Sequence, residues 1–220
     1  MANLHLDIEE LDAPDPGATR AGGRMPRSAR RKQLLAAAQE VFVANGYHAA
    51  AMDDIAERAG VSKPVLYQHF PGKLELYLAL LDTQTEALAN AVQDALDATT
   101  DNRKRIRGVL HAFFSFVDRD DEDGAFRLIF ETDLGNEPLV KQRVEAVTEK
   151  TMTAVANTVA GDTGLERASA ELLSTALTGA AQVAARWWLD SNRPVSQDEA
   201  VYLLESLLWR GISNFPRTNE

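Results

Sequence analysis

Residues 60–73 read GVSKPVLYQHFPGK, a short helix with a proline at each end. Ser62 stands where an N-cap is wanted, and Pro64 falls in the first helical turn, where its missing N–H costs nothing. Pro71-Gly72 stops the helix after barely two turns. Val65, Leu66 and Phe70 give it one apolar side, while Lys63, Tyr67, Gln68 and His69 line its outer face. A helix so short, loaded with hydrogen-bonding groups, is suited to presentation on a surface.

Upstream lies a second short helix, about Met52 to Ala59, with Asp53 and Asp54 in its positive first turn. About three residues centred on Gly60-Val61 join it to the first stretch. Before both comes an amphipathic helix, about Ser28 to Asn45, in which Leu34, Leu35, Ala38, Val41 and Phe42 form one stripe. Ser28 is expected to cap its start and Gly46 its end. Two short helices joined by a glycine turn and packed on a third describe a helix-turn-helix. The second helix of that motif enters the DNA major groove. Lys63 is expected to reach a guanine or a phosphate, and Pro64 to offer ring methylenes to a thymine methyl. Tyr67 and His69 suit phosphate oxygens, and Lys73 is expected beside the DNA backbone. Met52, Ser62, Val65 and Gln68 complete the expected contact set. Singly, each would be an ordinary surface side chain; their grouping on one short helix carries the inference.

The charge pattern bears on the same question. The 220-residue chain has a net charge of -10, yet residues 1–19 carry only acids. Between Arg20 and Glu75, nine bases (Arg20, Arg24, Arg27, Arg30, Arg31, Lys32, Arg58, Lys63, Lys73) face five acids. A basic island of about +4 in a chain otherwise near -14 suits an anionic partner, though a solvated charged face would give the same island. Arg24, Arg27, Arg30 and Arg31 are expected to reach phosphates or a neighbouring minor groove. A merely solubilising tail would also read this way.

Other function classes are disfavoured. With no cysteine, disulfides, thiolate metal sites and cysteine nucleophiles are excluded. His5, His48, His69 and His111 are scattered without metal-ligand spacing. No nucleophile elbow or phosphate-binding glycine loop occurs, so no catalytic residue, metal or cofactor is expected. The first residues lack the basic and apolar regions of a signal peptide, and no run approaches the ~20 apolar residues of a membrane span. A cytoplasmic protein without a membrane partner is the expectation.

Three segments are expected: an unstructured arm over 1–26, the helix-turn-helix domain over 27–73, and a larger helical domain over 74–220. No strand-length alternation occurs, so the fold class is all-α. A fourth helix spans about Lys73 to Asp97, with Leu74, Tyr77, Leu78, Leu81, Leu88 and Val92 inward. A fifth follows over about Arg103 to Val117, and a sixth over AFRLIFETDL. The seventh starts near Pro138 and ends before Gly161. The eighth and ninth span about Leu165 to Ser191 and Ser196 to Asn214.

Phe113, Phe116, Val117, Phe126, Ile129, Phe130, Met152, Leu177 and Trp187 mark a candidate apolar pocket for a small hydrophobic ligand. A phenylalanine stripe also describes plain core, and the sequence does not separate the two. Arg103, Lys104, Arg105 and Arg107 can hold an anionic head group or simply cover a surface. The last two helices are long, apolar and rich in small residues, which suits a four-helix interface with a second copy. Val183, Trp188, Leu204 and Leu208 are the candidates for it. Trp187 and Trp188 diverge by about 100° on a helix, so one faces a partner and the other the interior.

The stretch LLAAAQEVFVANGYHAAAMDDIAERAGVSKPVLYQHFPGKLELYLALL resembles the DNA-binding domain of TetR-family bacterial repressors. The FxxxGY end of the first helix, the IAERAGVS turn, LYxHF and Lys73 carry the likeness, over about residues 28–81. The resemblance implies a nine-helix fold, a divergent ligand-binding bundle, and a homodimer on palindromic double-stranded operator DNA. One departure stands out: Ala50 and Ala51 occupy positions where the family usually has Thr or Ser. Phosphate contact there must come from backbone N–H groups or be lost. PRSARRKQ, FRLIFETDLGNEPLVKQRV and ARWWL further resemble fatty-acid-synthesis regulators of the FasR type. That implies an effector such as a long-chain acyl-CoA or fatty acid. An efflux-type repressor sensing another hydrophobic ligand is the alternative; a helical enzyme or a scaffold is more remote.

Overall fold

The computed structural model describes residues 25–118, 134 and 137–211. Among them are eight α-helices and no strand. They are α1 (Arg27–Ala49), α2 (Met52–Arg58), α3 (Lys63–His69), α4 (Lys73–Asp97), α5 (Asn102–Val117), α6 (Pro138–Thr163), α7 (Arg167–Asp190) and α8 (Gln197–Arg210). The all-α expectation holds. The helix expected over AFRLIFETDL lies outside the described residues but for its last, Leu134, and Phe126, Ile129 and Phe130 lie outside them too.

The expected apolar stripe of α1 is buried, from Leu34 to Phe42. Its ends differ from the expectation. Pro26 holds the N-cap position without a side-chain bond, and Ser28 lies inside the first turn. Pro26 wins because its fixed φ suits a helix start and its carbonyl accepts from the Arg30 N–H at 2.9 Å. Gly46 does break the helical run, at φ 72°, before a last turn reaches Ala49. Gly60 ends α2 at φ 63°, with its own N–H on the Glu57 carbonyl and that of Val61 on Ala56. The left-handed conformation is what lets the chain reverse into α3, and glycine alone adopts it without strain.

Three termini shift similarly. Asp101 caps α5, accepting from the N–H groups of Arg103 and Lys104. Helix α6 runs past Gly161 to Thr163, because the residue that turns left-handed is Gly164, at φ 68°. Ser196 caps α8 by accepting from Glu199 N–H at 3.2 Å.

Helix α4 is the common element. Towards its start, Tyr77 packs edge-on to Phe42 of α1, and Gln84 donates to Gln39 at 2.7 Å. Further along, α4 packs on α5 and α6, and Arg143 of α6 grips Asp82 with bonds of 2.7 and 2.9 Å. Because α4 is covered from several sides, Leu76 and Leu80 are buried, while the expected inward residues Leu74 and Leu78 are only half-buried. One continuous apolar core runs from Leu34 through α4 to Trp188 and Val201.

Candidate nucleic-acid interface and apolar cavity

The helix-turn-helix face is built by α1, α2 and α3. Leu66 and Phe70 are buried and anchor α3. That leaves Ser62, Lys63, Pro64, Tyr67 and Gln68 exposed, with Val65 and His69 half-buried. The start of α1 comes alongside. Met25, Pro26, Arg27, Arg30, Val65, Gln68 and His69 line one concave surface of about 650 Å³. The structure thus brings Arg27 and Arg30 of the basic run and the short helix onto one face, while Arg24 lies outside the described residues. Lys63 Nζ pairs with Asp53 Oδ2 at 2.5 Å, both side chains well exposed. Such a pair exchanges readily for a phosphate, since exposed ion pairs contribute little.

His69 sits in this positive field. Loss of solvent lowers its pKa below the ordinary 6.5, and Arg27, Arg31 and Arg30 push it further down. The ring is therefore neutral at pH 7 and acquires a proton more easily once an anion arrives.

Two expected contacts are corrected here. Met52 is buried at 9% exposure, packed with Ile55 and Ala56 on the inner side of α2. It sits at the i, i+3, i+4 positions that face the core, so its side chain does not reach a groove. Lys73 does not point to solvent. Its Nζ donates to the carbonyls of Tyr47 (2.8 Å), His48 (3.2 Å) and Ala50 (2.9 Å) and lies 4.5 Å above the Tyr47 ring. A helix C-terminus leaves carbonyls unsatisfied, and a cation is the natural partner for them. Lys73 clamps the end of α1 to the start of α4. At α2, Ala51 occupies the N-cap without a side-chain bond, so no hydroxyl is offered there.

The larger bundle holds a half-open cavity of about 200 Å³ between α4, α5, α6, α7 and α8. Leu96, Ile106, Val109, Leu110, Val155, Val159, Leu177 and Ala181 form most of its wall, with Leu208 and Trp209 from α8. Asn102, Arg105 and Thr163 stand at helix ends and give the wall a polar edge. Of the residues expected at a pocket, Leu177 is here. Phe113, Phe116 and Val117 are buried one to two turns further along α5, outside this cavity, and Phe113 belongs to the core. Met152 borders a separate groove between α6 and α7. The signal missed in the sequence was Ile106, Val109 and Leu110, an i, i+3, i+4 set preceding the phenylalanines.

The basic cluster of α5 is largely neutralised. Arg103 and Arg107 both engage Glu205 of α8, the latter at 2.5 Å, and Glu205 is fully enclosed. Burial alone would raise the Glu205 pKa, but hydrogen bonds from Arg103 and Arg107 outweigh it and hold the carboxyl below 4.5. Arg105 pairs with Asp162 and donates to the Leu96 carbonyl at 2.9 Å.

The tryptophans are exchanged relative to expectation. Trp188 is buried at 2% exposure against Phe114, its Nε1 donating to the Val195 carbonyl at 2.8 Å. Trp187 is 61% exposed, and Val183 on the same side is 70% exposed. With Leu172 they line one outer face of α7, across small Ala176 and Gly179. On α8, Leu204 and Leu208 turn inward to the core, while Tyr202, Leu203 and Leu207 are exposed. The shift of one residue follows from Glu205 and Val201, whose buried positions fix the inner side of α8.

Among the described residues, no group of three His, Asp or Glu side chains can hold a metal ion, and no helix is long and apolar enough to cross a membrane. Comparison with known proteins adds the following. The family pattern described as bacterial regulatory proteins, tetR family, matches residues 34–80. The chain is 48% identical over 219 residues to the HTH-type transcriptional activator FasR of Mycolicibacterium smegmatis, covering 99% of each. It resembles the crystal structure of a TetR-like transcriptional regulator from Rhodococcus sp. RHA1, with a TM-score of 0.67 and 30% identity, over 87% of this chain and 100% of that one. It shares its fold with FadR from Bacillus subtilis, solved in complex with stearoyl-CoA: TM-score 0.69, 19% identity, over 82% of this chain and 98% of that one.

Proposed function

The chain belongs to the TetR family of bacterial regulatory proteins, and from that membership we propose that it is a ligand-responsive, DNA-binding transcriptional regulator of fatty-acid metabolism. Its relatives are transcription regulators, not enzymes. The observation that carries the reading is the shared concave face of α1 and α3, where Arg27 and Arg30 stand beside Gln68 and His69.

Residues 27–73 form the DNA-binding domain and 74–220 the ligand-binding and dimerisation domain. Ser62, Lys63, Pro64, Val65, Tyr67, Gln68 and His69 approach base edges and phosphates, while Arg27 and Arg30 take the flanking backbone. The protein acts in the cytoplasm as a homodimer on a palindromic operator. The interface is formed by the exposed apolar side chains of the last two helices, Leu172, Val183, Trp187, Tyr202, Leu203 and Leu207, since so many large apolar groups left in water mark an interaction site. The effector is a long-chain acyl-CoA or fatty acid. An aliphatic cavity with a polar edge supports this, as does the likeness to a fatty-acid regulator. The 200 Å³ of this cavity is smaller than the ~300–1,000 Å³ of pockets that hold whole ligands. Effector entry therefore widens the bundle, and a ligand that prefers the wider state shifts DNA affinity by that preference.

The test is selection of tight-binding duplexes from a random-sequence library, followed by fluorescence anisotropy with and without palmitoyl-CoA. An enriched inverted repeat whose affinity changes with palmitoyl-CoA is the expected result. Enrichment of no symmetric sequence overturns the DNA reading; an operator indifferent to palmitoyl-CoA and palmitate overturns the effector reading alone.

A further inference from the structure

Thr178 stands in the cavity wall with nothing to bond. The residue is 1% exposed, and its hydroxyl is the only buried side-chain polar atom without a partner among the described residues. A threonine inside a helix commonly donates to the carbonyl four residues back. Thr83, Thr148, Thr151, Thr158, Thr163 and Thr175 all do so here. For Thr178 that acceptor would be the Ser174 carbonyl, and the bond is not made. Leaving a buried hydroxyl unpaired is unfavourable, so the position favours an incoming partner.

None of the other polar side chains of the cavity bonds the Thr178 hydroxyl. Thr158 and Thr163 are bonded within α6. Asn102 accepts from Arg105, which is itself held by Asp162 and the Leu96 carbonyl. A lone water would be poorly held, because it needs two to four polar neighbours and the surface this wall exposes is almost wholly apolar. The missing partner must therefore arrive on a ligand that is otherwise apolar.

We infer that Thr178 is the specificity-determining contact of the effector site, its hydroxyl donating to the carbonyl oxygen of a bound acyl group. This rests on the effector reading above. The hydrocarbon chain lies along Ile106, Val109, Val159 and Leu177, and the head leaves past Asn102 and Thr163, where the wall is polar and opens to solvent. A carbonyl fits because it presents an acceptor and no donor to be satisfied in turn. Both a thioester and a free acid carry it.

The experiment measures binding of palmitoyl-CoA, palmitic acid and the thioether S-hexadecyl-CoA, which lacks the carbonyl. Wild-type protein is compared with Thr178→Val, which removes the hydroxyl at nearly constant volume, and Thr178→Ser, which keeps it. Wild type is expected to prefer the thioester over the thioether by about tenfold, the worth of one buried hydrogen bond. Thr178→Val reduces that preference to about one while leaving thioether affinity within about twofold, and Thr178→Ser retains it. A Thr178-dependent signal with palmitic acid but not palmitoyl-CoA supports the contact and identifies the free acid as its source. Should Thr178→Val fold poorly, the wild-type ratio of thioester to thioether still decides. Equal affinities, or a preference that survives the Val substitution, overturn the inference while sparing the effector reading. Failure of all three probes to bind wild-type protein overturns both.

Discussion

Replacing Lys73 by Met keeps the apolar stem and removes the ammonium. The structure assigns that ammonium three carbonyl acceptors at 2.8–3.2 Å and the face of Tyr47 at 4.5 Å. A hydrogen bond to a charged group is worth about 1.5–3 kcal/mol. The three are not additive here, since one amine is desolvated once and the His48 carbonyl, being exposed, rehydrates when released. Adding about 0.5–1 kcal/mol for the cation–π contact gives a loss of about 2–4 kcal/mol of stability. Urea unfolding at fixed protomer concentration measures it, since an associating protein's midpoint depends on concentration. Operator affinity, read by anisotropy across a salt series, should stay within about threefold of wild type, with an unchanged salt slope. If Lys73 instead touched a DNA phosphate, stability would be untouched and the slope would fall by about 1. That outcome would refute the clamp.

Three further outcomes follow from the same geometry. Trp187→Ala should leave unfolding little changed but weaken the dimer in sedimentation velocity, whereas Trp188→Ala should cost about 3–5 kcal/mol of stability as a buried aromatic lost; equal effects would contradict the exchanged tryptophans. Glu205→Gln should cost about 2 kcal/mol at pH 7, discounted because Arg103 and Arg107 are partly exposed. Because the folded pKa of Glu205 is lowered, its contribution is present above about pH 4.5 and lost as pH falls through the folded value; the variant's acid limb should be flatter in urea unfolding against pH. Operator affinity should rise as pH drops from 7.5 towards 6, since a phosphate favours the protonated His69 ring that the arginines disfavour in the free protein; His69→Gln should abolish that rise in anisotropy measurements.

The helix-turn-helix was legible because its instructions are local. Gly60 needs a positive φ, Pro64 tolerates only a first turn, and the stripe from Leu34 to Phe42 has one period. What misled the reading was tertiary. The carbonyls that capture Lys73 lie 23–26 residues upstream, and no spacing announces them. Met52 was different, since Ile55 and Ala56 complete an inward set with it that the sequence already contained. The tryptophans were also decidable. Ala181, Ala185 and Trp188 recur at i, i+4 and i+7 as the buried edge of α7, while Arg186 and Asp190 flank Trp187 on the solvent side. The cavity had only the Ile106, Val109 and Leu110 set, which marks apolar side chains but not the space between them. A void is the place where side chains fail to meet, and sequence patterns report where they do.

Helix α4 explains how one chain can serve both ends. Its first residue, Lys73, holds the end of α1, and its last turn contributes Leu96 to the cavity wall. The whole helix is 25 residues without proline or glycine, a rod of about 37 Å. Such a helix moves as a unit more readily than it bends, because kinks arise at proline, glycine or an inserted group. Its contacts on the two sides are unlike. At the α1 end, Tyr77 packs on Phe42, Gln84 bonds Gln39 and Lys73 bonds the Ala50 carbonyl. At the cavity end, Leu96 borders empty space, and the Arg105 that grips its carbonyl is shared with Asp162 of α6. On the effector reading proposed above, filling the cavity would act on the end of α4 that borders it, and the helix would carry the displacement to α1 and, through it, to α3. The energy available for that displacement is the ligand's differential affinity for the two positions of α4, and no more.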